Sequence, residues 1–323
     1  MDRLSAKGQR NASKKVAVTG GAGFIGSHLA GLLVERGYRV IILDNLCTGK
    51  LANLESIFKK PCVEFIQESI LNLPLLQTLF HGVEYVFHQA AVPSVPRSIE
   101  DPETSHNVNV TGTLNVLLAA RDNNVRKVIY ASSSSVYGDT PVLPKVEDMA
   151  TSPLSPYAVS KLAGEHYCRV FQQVYGMPTV CLRYFNVYGP RQDPESQYAA
   201  AIPKFITRIA QKTPPVIFGD GEQSRDFTFI RDVAEANVQA AESDVTGIFN
   251  ISRGEWVTIN HLVQLITGLM GSEDIRPVYE ESRAGDVKHS LADILKAKNF
   301  GYNPKYSLEE GLKETIINLA CKG

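Results

Sequence analysis

The feature that most constrains this chain is a rhythm of short, unbroken apolar runs. VAVTG (16–20), YRVIILD (38–44), VEFIQ (63–67), YVFHQAA (85–91), KVIYASS (127–133) and TVCLRYF (179–185) each stand between more polar stretches. A strand with one wet face alternates apolar and polar side chains. Runs that do not alternate suit strands covered on both faces, as in a parallel sheet. The segments between them, Phe24 to Arg36 closed by Gly37 and Thr104 to Asp122 among them, have the length of crossover helices. Strands and helices alternating in this way predict an α/β fold with a doubly wound parallel sheet.

After about residue 183 the rhythm loosens. Prolines and glycines gather in GPRQDPES, KTPPVIFGDGEQ and SRAGD, which predicts a second, smaller α/β region. GIFNIS (247–252) reads as a strand that returns to the first sheet. The expected division is therefore 14–182 with 226–252 for the sheet domain, and 183–225 with 253–323 for the smaller one. Residues 1–13 are polar and basic without an apolar stretch, so they read as a flexible tail rather than a signal peptide. At 323 residues and 44% hydrophobic the chain has ample core, and its net charge of -1 gives no reason to expect nucleic acid or an anionic membrane. No apolar run approaches the roughly 20 residues of a membrane helix. The five cysteines, scattered and without a C-x-x-C pair, read as reduced cytosolic thiols, so no metal site is expected.

Two segments carry chemistry. VAVTGGAGFIGSHL sets Gly20, Gly21, Gly23 and Gly26 between the first strand and the first helix. Glycines there permit the tight turn and let the backbone approach a pyrophosphate, which the helix N-terminus then attracts. Asp44, at the end of the second strand, completes a Rossmann-type dinucleotide fingerprint. A carboxylate at that point holds the adenosine ribose hydroxyls and repels a 2′-phosphate, which favours NAD over NADP.

The other segment pairs the serine run Ser132–Ser135 with SPYAVSK (155–161). Ser155-Pro156 reads as an N-cap and first helical residue, placing Tyr157 and Lys161 on one helix face. A phenol near pH 10 is a poor base at neutrality. An ammonium one turn away and the positive nicotinamide ring both favour the phenolate, which makes Tyr157 a usable proton acceptor from an alcohol.

Gly20-x-x-Gly23-x-x-Gly26 with a serine, Tyr157 and Lys161 resembles the short-chain dehydrogenase/reductase superfamily in its extended, nucleotide-sugar branch. The resemblance spans nearly all the chain beyond the tail. Within the branch the chain is similar to the UDP-hexose 4-epimerases, closest to those acting on UDP-N-acetylglucosamine. The family's catalytic serine stands four residues before the tyrosine of VYG, which selects Ser133. Sugar 4,6-dehydratases carry Asp-Glu at the next two positions, where this chain has Ser134 and Ser135, so elimination lacks its acid.

The resemblance also implies a cofactor set: Gly20, Gly23, Phe24, Ile25, Gly26, Asp44, Asn45, Ser69, Ile70, Gln89, Ala90, Ala91, Ser94, Asn109, Tyr157, Lys161 and Tyr184. Ser69 stands where the family has the Asp that meets the adenine amino group. The implied UDP-sugar set is Ser94, Ser133, Ser134, Tyr157, Asn186, Ala200, Ala201, Lys204, Val216, Phe218, Arg225, Arg283, Asp286 and Ser290. Two arginines suit a diphosphate because each binds it bidentately. Ser290 stands where enzymes confined to UDP-glucose carry a tyrosine, and it also reads as the cap of a helix Leu291 to Lys298.

The implied reaction is a 4-epimerisation through a 4-keto sugar. Tyr157 takes the 4-hydroxyl proton while hydride passes to NAD and then returns to the other face. A four-helix homodimer built on Thr104–Asp122 and Tyr157–Tyr175 is implied too, with Leu114, Leu117, Leu118, Val170 and Phe171 as contacts. A UDP-glucuronate 4-epimerase and a non-catalytic NAD-binding regulator on the same fold are the alternatives.

Overall fold

A computed structural model describes residues 14–193, 201–281 and 288–320. Elements are numbered along the chain. The first half holds β1 Lys15–Thr19, α1 Phe24–Glu35, β2 Arg39–Leu43, β3 Val63–Ile66, α2 Leu73–Leu79 and β4 Val83–His88. Then come α3 Val95–Glu100, α4 Pro102–His106, α5 Gly112–Asp122, β5 Lys127–Ser133, α6 Pro156–Tyr175 and β6 Thr179–Tyr184.

The second half begins with β7 Val187–Tyr188, α7 Ala201–Ala210, β8 Val216–Phe218, β9 Ser224–Arg225, β10 Thr228–Phe229 and α8 Ile230–Glu242. It continues with β11 Gly247–Ile251, β12 Val257–Thr258, α9 Ile259–Leu269, β13 Val278–Glu280, α10 Leu295–Lys298 and α11 Leu308–Ala320.

Seven strands form one parallel sheet in the order β11-β6-β5-β4-β1-β2-β3. Successive residues of one strand feed opposite cores, which is why the runs do not alternate. Val16 and Val18 pack toward the face covered by α1 and α8, while Ala17, Ile41 and Val128 pack toward α2, α5 and α6. β11 pairs with β6 from Gly247↔Val180 to Ile251↔Tyr184, so GIFNIS does rejoin the sheet. The short strands β7 to β10, β12 and β13 pair in twos outside the sheet. Among the described residues no helix is long and apolar enough to cross a membrane.

Two expected helices differ. Thr104–Asp122 is helical throughout but not α throughout: α4 ends at His106 and a π-wound segment, Asn107–Thr111, leads directly into α5. The buried Asn109 clamps Val92, accepting its N–H at 2.7 Å and donating to its carbonyl at 3.1 Å, and Thr113 Oγ1 donates back to Asn109 O at 2.6 Å. A side chain inserted this way distorts the helical ladder. At the other end the expected helix Leu291–Lys298 is only Leu295–Lys298. Residues 291–293 pair as extended backbone with Lys145, whose N–H donates to Leu291 O at 2.8 Å and whose carbonyl accepts Asp293 N–H at 2.9 Å. Ser290 therefore caps no helix.

Candidate active site

The carboxyl ends of β1, β2, β4, β5 and β6 open onto one groove of about 810 Å³. In the strand order, the chain reverses direction between β1 and β4, and ligands of open α/β sheets sit outside such a switch point. Gly20 holds φ +68°, and a Cβ added there would lie 2.6 Å from the N of Ala90, two residues past the end of β4. A Cβ on Gly26 would lie 2.1 Å from Gly20 O. Helix α1 starts at this spot with Gly23 as N-cap, no side-chain cap and no acidic residue in its first turn. The backbone thus leaves room and N–H donors for a pyrophosphate.

Asp44 is buried on the groove wall. Its Oδ2 accepts Ala22 N–H at 2.9 Å and its Oδ1 accepts Leu46 N–H at 2.8 Å, which ties the glycine turn to the end of β2. Each oxygen keeps a further lone pair for a hydroxyl. Ser69 also lines the groove, and its Oγ accepts Leu71 N–H at 3.2 Å. Gln89, Tyr184 and Asn237 form one polar net, with Gln89 Nε2 3.0 Å from Asn237 Oδ1 and Tyr184 Oη 3.0 Å from the same oxygen.

Sixteen of the expected cofactor residues line this groove; Asn109 does not. It braces the loop behind the groove, bonding Val92 and, at 3.0 Å, Ser160 Oγ. The buried His88 is a second brace the sequence did not single out. Its ring nitrogens lie 2.7 Å from Thr19 Oγ1 and 2.9 Å from Thr113 Oγ1, and burial drives its pKa down to about 3. Cys47, Lys50, Glu68, Arg97, Gln192 and Asp193 also line the groove without having been expected. The first three follow strands β2 and β3, where position alone could have flagged them. Asp193 reaches Lys50 at 3.0 Å across the rim, a pairing that no sequence signal announces.

At the reacting end α6 begins as expected: Ser155 caps it by accepting Ala158 N–H at 3.2 Å, with Pro156 first in the helix. Tyr157 N–H donates to Ser98 Oγ at 3.0 Å, fixing the half-buried tyrosine against α3. Lys161 is buried. Its Nζ donates to Ala131 O at 2.9 Å and sits 5.8 Å from the centre of the Tyr157 ring.

Burial lowers Lys161 to about 8, and burial raises the Tyr157 phenol above its ordinary value while the Ser133 hydroxyl draws it down. Lys161 thus keeps its ammonium near the Tyr157 ring with one N–H spent on a strand carbonyl, and the Ser133 hydroxyl is a further group that favours the phenolate. Ser132, by contrast, donates to Glu165 at 2.5 Å, and Glu165 is held by Arg183 at 2.7 and 2.8 Å in a buried pair beneath the strand tip.

Two residues beyond Tyr184, Asn186 begins the wall of a second cavity, of about 620 Å³. Ala201, Lys204, Val216, Phe218 and Arg225 line it as expected, joined by Tyr188, Phe205, Gln223 and Phe227. Ser94 and Tyr157 line the groove instead, while Ser133, Ser134 and Ser290 line neither cavity. Ser290 is half-buried beside the wall, its N–H donating to Ser224 O at 3.1 Å. Ala200, Arg283 and Asp286 lie outside the described residues. Among the described residues no three His, Cys, Asp or Glu side chains gather as metal ligands.

The sequence model of the NAD dependent epimerase/dehydratase family matches residues 16–252. The chain belongs to that family. NAD is its cofactor, and the glycine cradle, the uncapped helix end and Asp44 fit it. The chain is 38% identical over 306 residues to a UDP-glucose 4-epimerase of Mycolicibacterium smegmatis, covering 94% of this chain and 97% of the relative. Among solved structures it is similar to the UDP-N-acetylglucosamine 4-epimerase of Methanobrevibacter ruminantium in complex with UDP-N-acetylmuramic acid. That match has 43% identity and a TM-score of 0.93, with 96% and 99% of the two chains covered. It is also similar to a UDP-glucuronic acid 4-epimerase from Bacillus cereus in complex with UDP-glucuronic acid and NAD, at 35% identity and TM-score 0.89, with 96% and 100% covered.

Proposed function

We propose that this protein is an isomerase that interconverts the C4 epimers of a UDP-hexose: UDP-N-acetylglucosamine with its galacto epimer, and also UDP-glucose with UDP-galactose. One observation carries the reading. Tyr157 lines the cofactor groove with the Lys161 ammonium 5.8 Å from its ring centre, and neither residue after Ser133 is an acid. NAD, when bound, supplies a reversible hydride acceptor and a positive charge beside the phenol. The chain's own residues do the rest. Tyr157 takes the proton of the sugar 4-hydroxyl and later returns it, and Ser133 donates to the same phenolic oxygen. Lys161 keeps a cation behind both. Lys204, Arg225 and Asn186 would hold the diphosphate in the second cavity, and the resemblance adds Arg283 and Asp286 to the UDP-binding residues.

Division of the chain into a cofactor domain (14–182 with 226–252) and a UDP-sugar domain (183–225 with 253–323) accompanies this reading, as does a cytoplasmic homodimer. Leu117 and Phe171, expected at the dimer contact, lie in the protomer's own core. Val159, Val170 and Val174, which are exposed along one stripe of α6, with Leu114 and Leu118 of α5, support a face for a second copy. Sedimentation at micromolar concentration should show a dimer.

Incubating the purified protein with UDP-glucose, UDP-N-acetylglucosamine and UDP-glucuronate in turn, without added reductant, tests the reaction. Turnover of UDP-glucuronate alone would select the glucuronate reading, and no turnover of any would favour a regulator. The preference for the acetylated sugar rests on Ser290, pinned beside Arg225, where a small side chain leaves room at C2. Ser290→Tyr should depress kcat/KM for UDP-N-acetylglucosamine about tenfold or more while sparing UDP-glucose, because overpacking of that order is costly. Equal losses on both sugars would show that Ser290 does not face the C2 substituent.

A further inference from the structure

Ser133 sits at the head of a short 3-10 turn, Ser134–Tyr137, and caps it by accepting Ser135 N–H at 3.2 Å. The turn is fastened at its far end, where Gly138 N–H donates to Ser135 O at 3.2 Å and Ser152 N–H donates to Val136 O at 3.0 Å. Within this fixed frame the Ser135 hydroxyl lies 2.9 Å from Ser133 Oγ. A serine oxygen has two lone pairs and one hydrogen. With the Ser135 N–H on one lone pair and the Ser135 O–H on the other, the hydrogen of Ser133 is left free for an acceptor outside the turn.

We propose that Ser135 is a positioning residue for the reaction, orienting the Ser133 hydroxyl as a donor to Tyr157 whenever the tyrosine is ionised. The proposal rests on the reading of Tyr157 as the base. An ionised phenol only accepts hydrogen bonds, so Ser133 must donate to it, and a Ser135 hydroxyl that donates to Ser133 both keeps the Ser133 hydrogen from turning back to Ser135 and polarises it as a donor. When Tyr157 carries a proton, the row can run the other way, with Tyr157 donating to Ser133 and Ser133 donating to Ser135. Both directions use the same heavy-atom positions, so each proton transfer needs only rotation of two hydroxyls. The capping bond is made by the Ser135 backbone, so removing the side-chain hydroxyl leaves the turn intact and deletes only the second donor.

The experiment compares Ser135→Ala, Ser135→Thr, Ser133→Ala and the double Ser133→Ala/Ser135→Ala, each checked for unchanged Tm and NAD content. kcat and KM are measured across pH. Since the phenolate is the active form, a weaker Ser133 donor raises the Tyr157 pKa and moves the acid limb of kcat to higher pH. Ser135→Ala should lose about tenfold in kcat near neutrality, the scale of one hydrogen bond to a charged group, with KM unchanged. Ser135→Thr should restore both rate and profile. The double variant should be no slower than Ser133→Ala, because Ser135 acts through Ser133. An unshifted acid limb in Ser135→Ala, or losses that multiply in the double variant, would overturn the proposal. Tyr157→Phe separates the two levels: if it stays active the base assignment itself fails, and Ser135 with it. If it is inactive while Ser135→Ala behaves as wild type, only Ser135 is wrong.

Discussion

The cofactor groove and the second cavity are built on different plans. The groove is an end-on property of one sheet: five strand tips and one glycine turn supply most of its wall. The second cavity is assembled from β7, α7, β8, β9, the start of α9 and the end of β13, short pieces outside the seven-stranded sheet that come from positions 186 to 280. The first therefore depends on backbone geometry that tolerates no added atom, and the second on side chains that can be trimmed one at a time. The difference teaches that substitutions on the two sides should fail in different ways.

The largest effect is expected where the two meet. Tyr157→Phe keeps the ring and removes the proton acceptor, so kcat should fall by about a thousandfold, the range of general acid–base contributions, with Tm and NAD content unchanged. Near-normal turnover would dismiss the mechanism. Next, Gly26→Ala puts a Cβ against Gly20 O and should strip NAD from the purified protein while UDP binding by calorimetry persists. NAD is assayed in the supernatant after denaturation. Loss of both ligands together would break the contrast between the two plans, and NADP found in wild-type protein would contradict the role of Asp44.

A smaller loss is expected for Arg225→Ala. KM for the UDP-sugar should rise about tenfold to a hundredfold, the worth of one bidentate charged contact, with full NAD content. An unchanged KM would remove Arg225 from the site.

The smallest effect contrasts two buried titrating groups, one on each side. His88 has its pKa lowered by burial from 6.5 to about 3, so its contribution to stability is present above 6.5 and lost as pH falls toward 3. Asp226, beside Arg225, has its pKa raised by burial from 3.8 to about 6. Its contribution is therefore complete below 3.8 and lost as pH rises through 6. Asp226→Asn can keep the bonds from Gly254 and Ala292 N–H while abolishing that loss. The variant's Tm should exceed that of wild type by about 2 °C at pH 7, with the gap closing below pH 4. A gap independent of pH would show that the Asp226 charge does not weigh on folding.

The two plans also explain what could be read from the sequence. The strands were legible to within about three residues because burial on both faces writes itself as continuous runs, as in KVIYASS. The glycine turn, Asp44 and the Ser155-Pro156 helix start were legible because their chemistry is local. The bonds by which Asn109 braces the loop behind the groove were not legible, because its partners, Val92 and Ser160, are distant in sequence. The helix from Leu291 failed for the same reason, since nothing nearby announces the pairing with Lys145. Helical spacing put Lys161 beside Tyr157, where its ammonium lies 5.8 Å from the ring centre, but gave no sign of its bond to the Ala131 carbonyl.

The late return of β11 sets a condition on biosynthesis. Six of the seven sheet strands have left the ribosome by Tyr184, yet the face of the sheet under α1 stays half bare. Its remaining cover, α8, ends only at Glu242, and is fastened to the first helical layer by Arg36 with Glu235 at 2.8 Å and Tyr38 with Glu242 at 2.9 Å. A nascent chain paused before that point exposes Val16, Val18 and Val180 to water and to its neighbours. The vectorial order of synthesis thus makes the stretch from Tyr184 to Glu242 the interval in which a chaperone matters most, and makes any truncation inside it a seed for aggregation rather than a smaller working enzyme.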